Sequence, residues 1–181
     1  MNRLLIMRHS KAEPSGIAVD FERELTPSGR KKAINACKKL TKKGCAVDFI
    51  LSSSALRAKQ TAEIVRDHFG VLNDIIFDEE LYYISAAELV EYVQEIPLAL
   101  KKMGKEYSSR AGVDNFSVMI VGHEPAVSGA AYKLLDNSAK IKPEVGFGLS
   151  TANIVNMKSE LPWEEWTPES IQKANIIHVE C

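Results

Sequence analysis

Short apolar runs recur along this sequence at Leu4–Met7, Phe49–Leu51, Ile75–Phe77, Val118–Val121 and Ile176–Val179. Runs of three or four such residues have the length of strands buried on both faces, and they are too short to form the core side of a helix. Helical signals fill the intervals. Thr26-Pro27 supplies a cap followed by proline at the first helical position, with Ala33, Cys37 and Leu40 on one side and Gly44 as the stop. A second helix is expected over Ala55–His68, capped by Ser53 or Ser54 and ended by Gly70. A third opens at Ser85-x-x-Glu88, a reciprocal capping box, and meets Pro97; a fourth starts at Pro125 and buries Val127, Ala131, Leu134 and Leu135. Strands alternating with helices specify an α/β fold: a three-layer αβα domain with a largely parallel central sheet.

At 181 residues the chain is expected to be a single domain, 1–181, able to bury roughly 70% of its unfolded surface without a metal or disulfide staple. Lysine and arginine number 23 against 24 acidic residues, and no block of one sign gives the footprint of a nucleic-acid or membrane-surface binder. Cys37, Cys45 and Cys181 are odd in number and lack Cys-x-x-Cys spacing, which fits reduced thiols and a cytoplasmic address. No apolar stretch approaches a signal-peptide core or a membrane span. The polar stretch Gly104–Asn115 reads as a loop, and Trp163 and Trp166 read as cover for an edge of the core.

Open α/β sheets gather ligands at the carboxyl ends of their strands. The polar residues that follow the apolar runs are Arg8-His9-Ser10-Lys11, then Ser52-Ser53-Ser54 with Arg57, then Gly122-His123-Glu124-Pro125. Three strand ends therefore deliver two histidines and two arginines to one rim. A phosphoryl group calls for this set: forked cationic donors that match its oxygens, backbone amides, and a nucleophile on one side. His68 and His178 stand apart from any His-Glu-x-x-His or Asp-x-Asp array, so no metal is expected. No Gly-x-x-x-x-Gly-Lys loop, Gly-x-Gly-x-x-Gly turn or Gly-x-Ser-x-Gly elbow occurs, which leaves nucleotide and serine-hydrolase chemistry without a carrier.

Leu5-Ile6-Met7-Arg8-His9-Ser10 resembles the Arg-His-Gly signature of the histidine phosphatase superfamily, which includes the cofactor-dependent phosphoglycerate mutases. Three more blocks resemble that family in order: Arg23–Arg30, Ser52–Ala62 and Val121–Pro125. The short chain and the Arg-x-Leu-Thr and Gly-His-Glu-Pro forms look most like its SixA-type branch. The resemblance implies a phosphoglycerate mutase-like fold and a phosphatase that uses no cofactor. His9 would accept the phosphoryl group, Arg8 and Arg57 would ligate it, and His123, if protonated, would add a donor. It further implies a phosphohistidine on a protein as substrate, a signalling phosphotransfer domain being one candidate.

Two departures from the family pattern stand out. Ser10 replaces glycine beside the phosphate loop, where its hydroxyl is a possible substrate donor. The general acid of the larger members falls in Asp78-Glu79-Glu80-Leu81-Tyr82, with Glu80 as the candidate. Lys11 and Arg23 are candidate contacts for acidic substrate groups. A phosphohistidine leaving group needs little acid assistance, whereas an alkyl ester loses typically 10² to 10⁴-fold without it. Two rivals remain: a small-ester phosphatase or mutase of the same fold, and a non-catalytic phosphoprotein-binding module.

Overall fold

The computed structural model describes residues 1–102 and 116–180; the expected loop at Gly104–Asn115 and Cys181 fall largely or wholly outside them. In chain order the elements are β1 (Asn2–Arg8), α1 (Pro27–Lys42), β2 (Phe49–Ser53), α2 (Leu56–Phe69), β3 (Ile76–Asp78), α3 (Glu80–Tyr83), α4 (Ala86–Gln94), α5 (Ile96–Lys102), β4 (Ser117–Gly122), α6 (Ala126–Leu134), α7 (Lys142–Gly146), β5 (Ile154–Ser159) and β6 (Lys173–Ile177). The six strands form one sheet in the order β3-β2-β4-β1-β5-β6. Neighbours from β3 to β1 run parallel, while β5 is antiparallel to both β1 and β6.

Period-two alternation sorts each central strand between two apolar layers. Leu4 and Ile6 of β1 and Val118 and Ile120 of β4 face one core, shared with Leu89, Val93, Leu100, Val127 and Leu134 of α4, α5 and α6. Leu5, Met7, Met119 and Val121 face the other, shared with Ala36, Cys37 and Leu40 of α1 and Ala58, Ala62 and Val65 of α2. Helices therefore cover both faces, as the sequence pattern predicts. Ile6 is fully buried, and its truncation to alanine should cost about 2–5 kcal/mol.

Capping chemistry sets several of the boundaries. The Thr26 side chain accepts from the Gly29 amide at the start of α1, and Ser85 and Glu88 complete their box at the start of α4. The α2 cap differs from expectation: Ala55, which has no side-chain acceptor, holds that position, and the Ser53 hydroxyl accepts from the Ala55 amide at 3.3 Å while also meeting His123. Pro97 sits in the first turn of the separate helix α5, where its missing N–H costs nothing. Gly70 ends α2 with φ +61°, a conformation that L side chains resist.

The sheet also contains a strand absent from the sequence expectation, β5. Its Asn156 is buried and donates to Asn175 of β6 at 2.9 Å. Trp163 and Trp166 are fully buried and stack at 4.6 Å, closing one edge of the core beside Phe116. Cys37 and Cys45 are buried free thiols, and burial pushes the Cys37 thiol up to about 12, leaving it protonated and inert. No helix among the described residues is long and apolar enough to cross a membrane.

Candidate active site

Strand register assembles the site. Arg8 pairs with Gly122 across β1 and β4, and Ser52 pairs with Val121 across β2 and β4, so the three strands end at one level. The next residues, His9, Ser53 and His123, therefore emerge side by side. The His9 amide continues the ladder by donating to the Gly122 carbonyl at 3.0 Å, and the two imidazole centroids lie 5.0 Å apart.

His9 is buried, and its Nδ1 lies 2.7 Å from the Ser10 carbonyl oxygen. A carbonyl only accepts, so Nδ1 carries the proton and Nε2 keeps its lone pair. Arg57 Nε donates to that lone pair at 3.2 Å. Burial lowers the His9 pKa to about 3; His123, Arg57 and Arg8 add to the effect, against the opposing bond to Ser10. The ring is thus neutral and nucleophilic across the physiological range.

His123 accepts at Nδ1 from Arg57 Nη2 at 3.3 Å, which leaves Nε2–H to donate to the Ser53 hydroxyl at 2.8 Å. Burial and the neighbouring Arg57 lower its pKa to about 4, with Asp20 opposing. In this state His123 is neutral, and the protonated donor of the sequence reading would require an incoming dianion to raise its pKa.

Arg57 rises from the first turn of α2 and is 4% exposed. Arg8 points along the rim, where its Nη1 donates to the Leu149 carbonyl at 2.7 Å. Glu124 fixes that carbonyl: it accepts from the Leu149 amide at 3.1 Å and from the Ser128 hydroxyl. The Arg8 Nε is buried without a hydrogen-bond partner among the described residues, an unfilled donor beside His9 of the kind an oxyanion satisfies.

Arg23 also reaches the site, through Asp20, whose carboxylate it binds at 2.7 and 2.8 Å. Ser10 does not offer its hydroxyl to the pocket. The side chain is fully buried and its one proton goes to the Gly29 carbonyl at 2.7 Å, tying the loop after β1 to α1. Gly29 has to be glycine for this, since a Cβ there would run into the Lys11 carbonyl oxygen. Lys11 is exposed, and its recorded bonds are made by its backbone carbonyl, with Thr26. Glu80 is exposed at the start of α3 and lines a groove with Tyr83, Glu88 and Tyr92; among the described residues no hydrogen bond or ion pair joins it to His9, Arg8, Arg57 or His123.

Sequence reasoning missed Asp20, Tyr82 and the part played by Ser53. Asp20 binds Arg57 at 3.0 Å, and Tyr82 donates to Asp20 at 2.5 Å while its ring meets His123 edge-on at 5.2 Å. The Tyr82 bond, then the arginines, hold the Asp20 carboxyl down at about 2 against the opposing effect of burial. Tyr82 stands two residues from Glu80, in the same segment that the sequence reading singled out. Asp20 lies in an exposed turn with no pattern to mark it. Among the described residues no three His, Cys, Asp or Glu side chains are placed to hold a metal ion.

A neutral, oriented imidazole bonded to Arg57 and close to Arg8, at the carboxyl rim of the parallel strands, has the chemistry that a phosphoryl acceptor requires. The family model described as histidine phosphatase superfamily (branch 1) matches residues 4–96, and the chain belongs to that family. An uncharacterized protein of Mycobacterium tuberculosis is 30% identical over 166 residues, covering 90% of this chain and 92% of its own. Solved structures share the fold at lower identity. A structure of the protein histidine phosphatase SixA complexed with tungstate superposes with TM-score 0.69 at 21% identity, over 97% of this chain and 94% of that one. The mycobacterial glucosyl-3-phosphoglycerate phosphatase Rv2419c gives TM-score 0.63 at 18% identity, over 98% and 97%. Membership of the family supports phosphatase chemistry at this rim.

Proposed function

We propose that this protein is a phosphatase that passes a phosphoryl group through His9, and that its substrate is a phosphohistidine displayed on another protein. The observation that carries the reading is the unprotonated Nε2 of His9, oriented by the Nδ1 bond to the Ser10 carbonyl and met by Arg57, with Arg8 close by. His9 Nε2 attacks phosphorus in line; the bond from phosphorus to the leaving imidazole breaks, and that imidazole departs with the electron pair and takes up a proton from solvent. Arg8 and Arg57 cancel the charge that otherwise repels the nucleophile, and His123 hydrogen-bonds the transferring group. Water then attacks the phosphorus, its oxygen stays with the phosphate, and His9 is regenerated.

Substrate class follows from proton supply. The carboxylate that shares Arg57 with both histidines is Asp20, whose depressed pKa keeps it ionised and unable to protonate an alkoxide. Imidazole leaves without such help, and an alcohol does not. The SixA relative holds tungstate, an oxyanion of the same shape as phosphate, which accords with this assignment. A small-ester substrate is the second reading, supported by the fold shared with the glucosyl-3-phosphoglycerate phosphatase.

Mixing the protein with a radiolabelled phosphohistidine-bearing phosphotransfer domain tests the proposal. Wild type should release phosphate and, on rapid quenching in base, carry acid-labile label; His9→Ala should do neither. Turnover by His9→Ala would refute the nucleophile, and strong preference for phosphoglycerate or a sugar phosphate would refute the substrate class.

A further inference from the structure

Asp20 sits where a phosphoryl oxygen would be expected. It begins a short 3-10 turn, Asp20–Glu22, after a run of exposed residues from Pro14. One carboxylate oxygen accepts from Arg23 Nε and Nη2 at 2.8 and 2.7 Å. The other accepts from Arg57 Nη2 at 3.0 Å and from the Tyr82 hydroxyl at 2.5 Å. The Asp20 backbone carbonyl accepts from Arg57 Nη1 as well.

A guanidinium has five N–H groups. In Arg57 one is directed at His9, one at His123 and two at Asp20, which leaves a single one for anything else. A phosphoryl group that engages the two terminal nitrogens of Arg57 competes for donors that Asp20 holds. Charge points the same way. With both imidazoles neutral, three guanidinium groups less one carboxylate leave two positive charges in the pocket, the complement of a phosphoryl dianion. A monoanion gains from Arg57 little that Asp20 does not already provide, whereas a dianion matches the two net positive charges.

We propose that Asp20 is an internal competitor for the Arg57 fork, which a substrate phosphoryl group displaces on entry and which returns to expel inorganic phosphate after hydrolysis. The inference rests on the phosphatase reading. Asp20 thereby sets the threshold affinity for anions and keeps product from occupying the site. It is a positioning residue: it acts through Arg57 and takes no bond to the reacting atoms.

Calorimetric titration of inorganic phosphate into the full chain and its Asp20→Asn variant tests this, with hydrogen exchange of the 14–23 segment read in parallel. The variant keeps the size of the side chain and removes its charge. Phosphate should bind about three- to tenfold more tightly to Asp20→Asn, a modest factor because Asp20 is half-exposed and solvent screens its pair with Arg57. Product inhibition should strengthen in the same proportion. Phosphate should speed exchange at the Glu22 and Arg23 amides of wild type, whose bonds to Val19 and Asp20 define the turn, and have no such effect in the variant. Equal or weaker phosphate binding by Asp20→Asn, or protection of the turn by phosphate in wild type, overturns the proposal. If wild type binds no phosphate in a manner lost in Arg57→Ala, the phosphatase reading falls and this inference with it. If wild type binds and turns over substrate while Asp20→Asn is no tighter, only the role of Asp20 falls.

Discussion

Acidification from pH 7 to pH 5 should destabilise this fold sharply, because it holds two histidines neutral side by side. Burial lowers His9 to about 3 and His123 to about 4, against 6.5 for a free imidazole. Folded pKa values below the unfolded one mean that the unfolded chain takes up the protons. The stabilisation is therefore complete above about pH 6.5 and drains as pH falls below it, down to the folded values. Each histidine locked neutral forfeits about 2 kcal/mol over this interval, at about 1.4 kcal/mol per pH unit below 6.5. His123 is partly exposed, so the pair should lose about 3 kcal/mol in total, a large fraction of the 5–15 kcal/mol typical of a domain. Asp20 contributes in the same direction only below its ordinary value of 3.8, outside the window. Urea unfolding at the two pH values, compared at equal slope, reads the difference, and a His9→Gln/His123→Gln variant should show less than about 1 kcal/mol of it. Wild type as stable at pH 5 as at pH 7, or a loss of equal size in the double variant, would refute the neutral pair.

The same burial predicts that kcat/KM stays level from pH 8 down to about 5, since His9 needs to lose no proton there; an acid limb centred on the ordinary histidine value would contradict it. Glu124→Ala releases the Leu149 amide and thereby the carbonyl that aims Arg8, so vanadate should bind about tenfold more weakly with the thermal midpoint little changed. Unaltered vanadate affinity would show that Arg8 needs no such aim. Gly29→Ala drives a methyl group into the Lys11 carbonyl and should cost about 1–3 kcal/mol on thermal unfolding while raising KM, because Lys11 lies two residues from His9. Glu80→Gln should leave phosphohistidine turnover within about twofold, and a hundredfold loss would identify Glu80 as the general acid.

The central strands and the larger helices were legible because their residues alternate, cap and terminate by local rules. β5 was not. Its sequence, Ile154-Val-Asn-Met-Lys-Ser, interrupts an apolar run with Asn156, whose amide is received by Asn175 on the next strand, a partner the local pattern does not reveal. The β6 expectation began three residues late and ended two residues late for a related reason: Val179 is buried beyond the strand end, where its amide donates to the Asn153 side chain. At the site, Arg8, His9, Arg57 and His123 were visible because each lies at a strand end or in the first turn of the helix after it, and strand register decides their company. Whether Ser10 donates to a ligand or merely fits was open from the sequence, and only the packing against α1 shows where its proton goes. Asp20 and Tyr82 were hidden because each is placed by partners remote in sequence, Arg57 and Asp20 respectively.

The antiparallel entry of β5 beside β1 has an evolutionary corollary. Where neighbouring strands run in opposite senses, the approach to one borders the exit of the other, so the bend around Leu149 abuts Arg8 although some 140 positions separate them. That bend lies well beyond residues 4–96, the part by which the family is recognised. Drift in this late stretch could retune grip on an anion while every signature letter stays unchanged, and two chains with identical motifs could diverge in avidity.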